Sequence, residues 1–297
     1  MIIAVTGKVG QVVTSLIERA PDGVTIVPLG RPELDLADSA SIAPAIAAAR
    51  PDVVVSAAAY TAVDKAESDE AAAFAVNATG ASAVAAAAQA LGVPVIHIST
   101  DYVFDGTKTA PYLESDAVCP LGAYGRSKLA GEQAVLAAAP DAVILRTAWV
   151  YSPFGANFVK TMLRLAETRE ELGVVGDQIG NPTSALDIAD TVLAIARRLH
   201  EAPGAAPRGI FHMTGSGEGS WADLAKAVFA VSVAQGGPSA RVRAITTADY
   251  PTPAARPANS RLSGDRLAQT YGLRLPDWRL SVADVVARLL KDKDQNA

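Results

Sequence analysis

Tyr124 and Lys128 stand four residues apart in the stretch Tyr124-Gly125-Arg126-Ser127-Lys128, a spacing that puts both side chains on one face of a helix. That pair suits carbonyl reduction, which needs a hydride delivered to carbon and a proton delivered to oxygen. A phenol titrates near 10 and is a poor acid or base at neutral pH, but an adjacent ammonium stabilises its phenolate. The same ammonium can hold the ribose of a hydride-donating nucleotide. Upstream, Thr100 follows an apolar run, and its hydroxyl can hydrogen-bond a carbonyl oxygen as charge develops there. A Tyr and a Lys at this spacing are common on exposed helices. The order of a glycine turn, a Ser-Thr strand end and then a Tyr-Lys helix is what makes the signal specific.

The glycine turn is Thr6-Gly7-Lys8-Val9-Gly10-Gln11. Gly7 and Gly10 allow a tight turn and close backbone approach to a pyrophosphate, which the free N–H groups of a following helix stabilise. Two glycines three apart are weak evidence alone. Their place between a first strand and a first helix makes dinucleotide binding the better reading. The second strand ends Leu29-Gly30-Arg31-Pro32 with no carboxylate to bond a ribose hydroxyl. Arg31 is therefore a candidate for an extra 2′-phosphate, which favours NADPH over NADH as hydride donor.

These groups need a scaffold that brings strand ends together. Ile2–Thr6, Val24–Leu29, Asp52–Ser56, Val93–Ser99 and Ala142–Arg146 are continuous apolar runs, as expected of parallel strands covered on both faces. Helical stretches separate them: Gly10–Ala20, Ser39–Ala49, roughly Glu67–Leu91, and Tyr124–Ala139. The alternation predicts an α/β fold, a Rossmann-type doubly wound parallel sheet that holds ligands at the carboxyl ends of its strands. Beyond about Thr147 the rhythm weakens and prolines and glycines cluster, although Asn157–Thr168, Leu186–His200 and Trp221–Ala234 still read as helices. We expect a dinucleotide-binding domain over residues 1–147. A smaller α/β substrate-binding domain is expected over 148–297, with some segments returning to the first.

Of 297 residues, 50% are hydrophobic and 19% charged, enough for a substantial core. The formal net charge of −5 argues against nucleic acid and anionic membranes as partners. A single cysteine, Cys119, excludes an intramolecular disulfide and suits a reducing compartment; neither a signal peptide nor a membrane span is expected, and the cytoplasm is the expected location. His97, His200 and His212 are scattered and no pair has ligand spacing, so no metal site is expected. His97, inside a strand, reads as a packed, hydrogen-bonded residue, and Trp221 and Trp278 read as packing residues.

Several segments resemble the extended short-chain dehydrogenase/reductase family, and specifically its sugar-nucleotide reductases. They are Ala57–Glu67, Ser99–Phe104, Tyr124–Glu132, Arg146–Tyr151, Asn157-Phe158, Asp177–Thr183 and Arg256–Leu262, spread over nearly the whole chain. The resemblance implies a catalytic triad of Thr100, Tyr124 and Lys128, with Tyr124 the proton donor. It places Gly10, Gln11 and Val12 at the pyrophosphate and Asp35 and Leu36 beside the adenine. Ala59, Tyr60, Thr61 and Ile98 would border the cofactor. Thr100, Asp101 and Trp149 would contact the deoxysugar of a dTDP-sugar, and Asn157 and Arg256 its nucleotide end. The implied activity is NADPH-dependent reduction of a sugar ketone, with NADH as the second donor.

Two alternatives share the architecture. One is another reductase or epimerase of the family, or a dehydratase, whose elimination acid would replace Tyr102. The other is a non-catalytic NADP-binding regulatory subunit similar to that of methionine adenosyltransferase. Val13 departs from the usual third glycine of the turn. Ser15 and Leu186 stand where some relatives carry magnesium-binding glutamates, so a monomer or weak homodimer without metal is expected.

Overall fold

The computed structural model describes residues 1–294, so the last three residues of the expected 148–297 segment lie outside the described residues. Five strands, β1 (Ile2–Thr6), β2 (Thr25–Leu29), β3 (Val53–Ser56), β4 (Val95–Thr100) and β5 (Val143–Thr147), and a later strand, Gly209–His212, form one six-stranded sheet. Its order is Gly209–His212, β5, β4, β3, β1, β2, and every pairing is parallel. This is a Rossmann-type α/β sheet. The chain passes from β1 out to β2 and then back to β3 on the other side of β1. The carboxyl ends of β1 and β3 therefore form the switch point at which such sheets open a crevice. Thr6 pins that point: its buried Oγ1 accepts from the backbone N–H of Ala57 and of Ala58, at 2.9 and 3.0 Å.

The apolar runs alternate between two cores. Ile3, Val5, Val53, Val55, Ile96, Ile98, Val143 and Leu145 pack against Val13 and Leu16 of helix Gln11–Arg19 and Ile188 and Val192 of helix Ala185–Glu201. On the other face Val54, Val95 and Ile144 meet Ile42, Ile46, Val84 and Val135. A further core, with Tyr151, Met162, Leu172, Val228 and Trp278 among its members, is built around the parallel pair Glu171–Val175 and Arg241–Ile245.

The helix expected over roughly Glu67–Leu91 runs from Glu70 to Ala90 and contains a π-helical turn. Val63–Ala66 is a short helix capped by Glu67, a second helix runs Glu70–Phe74, Ala75–Gly80 is a π-helical segment, and Ala81–Ala90 completes the run. The wide turn has a local reason. Asn77, fully buried there, turns its side chain back to Tyr60, accepting from Tyr60 N at 2.8 Å and donating to Tyr60 O at 3.1 Å; π-bulges of this kind are frequent at functional sites. By length and composition Glu70–Ala90 could cross a membrane, yet Ala81, Val84, Ala85 and Ala88 are core residues of the sheet's second face.

Candidate active site

β4 delivers Thr100 to the crevice, and a 3₁₀ turn, Asp101–Val103, follows at once. Helix Ala123–Ala138 then brings Tyr124 and Lys128 alongside. Its start is capped from another segment, by Glu67 Oε1 accepting from Ala123 N at 2.8 Å, a carboxylate at the positive end of the helix dipole. Two glycines let this helix approach closely. A β-carbon on Gly125 would lie 2.3 Å from Tyr102 O, and one on Gly131 would lie 2.1 Å from Asn77 O.

Thr100, Asp101, Tyr124 and Lys128 line one cavity of about 610 Å³ together with Gly7, Gly10, Gln11, Val12, Ala59, Thr61, Ile98 and Trp149. Residues that the sequence placed in three groups thus share one wall. Burial pushes the Tyr124 phenol above its ordinary value, opposed in part by its hydrogen bond with Thr100, so the phenol is protonated at neutral pH and gives its proton up only where the phenolate is stabilised. Burial pulls Lys128 down to about 8, with the Glu132 carboxylate working against it. The sequence reading paired this ammonium directly with the phenol. Here its Nζ donates to Ile98 O at 2.7 Å and lies 3.4 Å from His97 Nε2, because β4 presents both acceptors beneath it. Asp101, 3% exposed, is pushed up to about 6 by burial, against hydrogen bonds that include one from Thr100. Its Oδ1 accepts from Thr100 Oγ1 at 2.9 Å while its buried Oδ2 has no partner, leaving an acceptor for a ligand hydroxyl.

The glycine turn fits a pyrophosphate. Gly10 caps helix Gln11–Arg19 without a side-chain hydrogen bond, and Gly7 holds φ at 103°, so bare backbone N–H groups and the helix dipole face the cavity. Val13, in place of a third glycine, is 2% exposed and belongs to the sheet core with Ile3 and Leu16; its bulk is taken up by packing beneath the turn. Ser15 is buried and donates to Gln11 O at 2.8 Å.

Other candidates lie off the cavity wall. Arg31 is exposed, one hydrogen bond away: Lys8, which does line the cavity, donates to Arg31 O at 3.1 Å and is ion-paired with Glu33. Asp35 and Leu36 sit in the loop that follows, Asp35 accepting from Ala37 N at 2.9 Å and Leu36 nearly buried. Tyr60 donates to Asp69 at 3.1 Å and packs with Tyr124 around Ala66, Ala73 and Ala123. Asn157 caps helix Phe158–Ala166 and donates to Gln11 Oε1 at 3.2 Å, bracing the pyrophosphate turn from outside. Arg256 is ion-paired with Asp64 at 2.8 Å and faces Tyr102. Tyr102 in turn meets Tyr124 edge-on, with ring centroids 5.5 Å apart.

Trp221, read from sequence as a packing residue, lies under the site: it stacks on Trp149 and donates through Nε1 to Gln178 Oε1 at 3.2 Å. Lys8 and the His97–Lys128 contact were likewise not assigned from sequence. None has a local motif, since each depends on which strand end or helix it meets.

A family profile described as RmlD substrate binding domain matches residues 1–291. The dTDP-4-dehydrorhamnose reductase of Sinorhizobium fredii is 56% identical over 295 residues, spanning 99% of this chain and 100% of that protein. The chain belongs to the dTDP-4-dehydrorhamnose reductase family. Two solved structures bearing that name extend the likeness to three dimensions. One, from Clostridium acetobutylicum, is 38% identical with a TM-score of 0.89, covering 98% of this chain and 100% of that one. The other, from Bacillus anthracis and in complex with NADP, is 34% identical with a TM-score of 0.88, covering 97% and 99%. With family membership in hand, the cavity between the glycine turn and the Tyr124 helix is the candidate active site.

Proposed function

We propose that the protein reduces the C4 ketone of dTDP-4-dehydro-β-L-rhamnose to dTDP-β-L-rhamnose, with NADPH as hydride donor. The observation that carries this reading is the convergence of Thr100, Tyr124 and Lys128 on the wall of the cavity that also holds the Gly7–Gly10 turn. Family membership and the NADP-bound relative support the choice of substrate and donor.

When bound in this crevice, the reduced nicotinamide supplies the hydride. Tyr124, held protonated by burial, transfers its phenolic proton to the C4 oxygen as negative charge gathers there. The Thr100 hydroxyl, on the same strand end, turns the proton it gives to Asp101 toward that oxygen and lowers the cost of the charge. Lys128 remains an ammonium below about pH 8, stabilises the phenolate that Tyr124 becomes, and binds the cofactor ribose. Asp101 accepts from a sugar hydroxyl through its unpartnered Oδ2, and Trp149 covers an apolar face of the deoxysugar. Arg31, with Lys8 beside it, meets the 2′-phosphate that distinguishes NADPH.

The test follows NADPH absorbance with purified protein and enzymatically generated dTDP-4-dehydro-β-L-rhamnose, and is repeated with NADH. Oxidation with formation of dTDP-rhamnose is expected, faster with NADPH and abolished in Tyr124→Phe. Tight NADPH binding without turnover would defeat the reading, as would full activity in Tyr124→Phe.

A further inference from the structure

The ring of His97, on β4, is 1% exposed, and both its nitrogens are engaged. Nδ1 lies 3.0 Å from Ser56 Oγ and Nε2 lies 3.4 Å from Lys128 Nζ. An ammonium has three donors and no acceptor. Nε2 must therefore turn its lone pair toward Lys128, and the ring proton must sit on Nδ1, where it donates to Ser56. A protonated ring would set two cations in contact away from water. Burial, and then the Lys128 charge, accordingly hold the imidazole well below its ordinary value. The arrangement is fixed by the sheet itself, because Ser56 and His97 are register partners across β3 and β4.

The consequence falls on Lys128. One of its donors goes to Ile98 O at 2.7 Å and a second to His97 Nε2. That leaves the third for the cavity that Lys128 lines.

We propose that His97, oriented by Ser56, is a positioning residue for Lys128: by accepting one ammonium hydrogen from beneath, it aims the remaining N–H into the cleft and helps keep the nitrogen charged in a buried place. The inference rests on the reductase reading above for its catalytic consequence. The other ionisable groups around Lys128 are Tyr124 and Glu132, one turn before and one turn after it on its own helix. Arg146 of β5 binds Glu132 through two hydrogen bonds. None of these replaces the Nε2 acceptor. A hydrogen bond accepted from the charged form favours that form, so its removal makes Lys128 titrate lower than it does now.

The experiment compares His97→Leu, which removes both ring nitrogens, with His97→Gln, whose amide oxygen can occupy the place of Nε2. Steady-state pH profiles are measured alongside a ¹³Cε-lysine NMR titration of the cofactor-free protein. His97→Leu is expected to lower kcat about tenfold while leaving KM for the sugar nucleotide within about twofold of the parent. It should also move the alkaline limb of kcat/KM and the Lys128 resonance down by about one pH unit. His97→Gln should restore most of both. Should His97→Leu fail to fold, Ser56→Ala, which releases the ring from its tautomer, carries the same expectation at smaller size.

An unmoved Lys128 titration with parental kcat would overturn the proposal. So would equal losses in the Leu and Gln variants at parental thermal stability. If the parent itself leaves the sugar nucleotide unreduced, the reductase reading fails, and the NMR titration still decides the contact between His97 and Lys128.

Discussion

Trp149 lies face to face with Trp221, ring centroids 3.7 Å apart and planes 9° from parallel, although its own backbone is held at φ 49°. A bulky residue in the left-handed region costs on the order of 1–3 kcal/mol and persists only where its surroundings enforce it. Two neighbours do so here. Trp221 supplies the stack, and Gly180 clears the space, since a β-carbon there would lie 2.6 Å from the Trp149 ring. The indole is thereby presented to the cavity as a fixed plate.

Trp221→Ala should therefore raise KM for the sugar nucleotide. Loss of one aromatic stack is worth about 0.5–1.5 kcal/mol, or roughly a twofold to tenfold change, with the NADPH dissociation constant unaltered. Trp221→Phe should recover part of the loss. Steady-state kinetics with a cofactor fluorescence titration check this, and an unchanged KM in Trp221→Ala would show that Trp149 holds its pose unaided.

Asp101 makes stability depend on pH. Its folded value, about 6, lies above the ordinary 3.8, so the folded protein holds the proton more tightly. The stability this carries is fully present below about pH 4 and is lost as pH rises toward and past 6. Above that, the buried ionised carboxylate costs about 3 kcal/mol, since each tenfold weakening of the acid corresponds to about 1.36 kcal/mol. Asp101→Asn keeps an acceptor for Thr100 and removes the charge. Urea denaturation should find it more stable than the parent at pH 8, by up to that amount, and nearly equal at pH 4, with reductase activity reduced at both. A stability gap independent of pH would show that Asp101 is not the titrating group.

How much of this was legible depended on range. The strands β1 and β3 to β5 are buried on both faces, so their apolar runs stand out without periodicity, and Tyr124 and Lys128 are linked by one helical turn. Neither depends on a distant partner. The second half is different. Val150–Tyr151, Ile179–Gly180 and Thr183–Ser184 are two-residue strands, too short to show any period. Gly209–His212 joins the main sheet only by pairing with β5, more than sixty residues earlier. The π-helical turn in the Glu67–Leu91 run was hidden for the same reason: the alanines have high helix propensity, and only the distant Tyr60 backbone reveals what Asn77 does. Trp221 carried no local signal because its role is defined by Trp149 on another segment.

The buried pair of Glu132 and Arg146 offers a test of what holds the helix of Tyr124 and Lys128 to the sheet. Their side chains are 2% and 3% exposed, with Arg146 donating to both carboxylate oxygens and Ser99 donating to one of them. Removing one partner leaves a buried unpaired charge, which costs about 3–5 kcal/mol. Glu132→Leu and Arg146→Met should each lower stability by about that much. The double variant Glu132→Leu/Arg146→Met should recover most of it. Chemical denaturation of all four proteins checks the cycle, and additive losses in the double variant would mean the two residues act separately.

The proposed preference for NADPH rests on Arg31, exposed beside the Lys8–Glu33 ion pair. A guanidinium that meets the 2′-phosphate stabilises NADPH alone, because NADH has only a hydroxyl at that position. At a solvent-exposed site such a charge-assisted contact is worth about 1–2 kcal/mol, roughly a fivefold to thirtyfold effect. Arg31→Ser should therefore cut kcat/KM for NADPH by that factor and leave the NADH value within about twofold. Lys8→Gln should act in the same direction. Glu33→Gln, which frees Lys8 from its partner, should act in the opposite one. The measurement is the ratio of kcat/KM for the two donors across the four proteins, paired with direct titration of each donor. Parallel losses with both donors in Arg31→Ser would mean that the residue supports the fold of the loop rather than reading the phosphate.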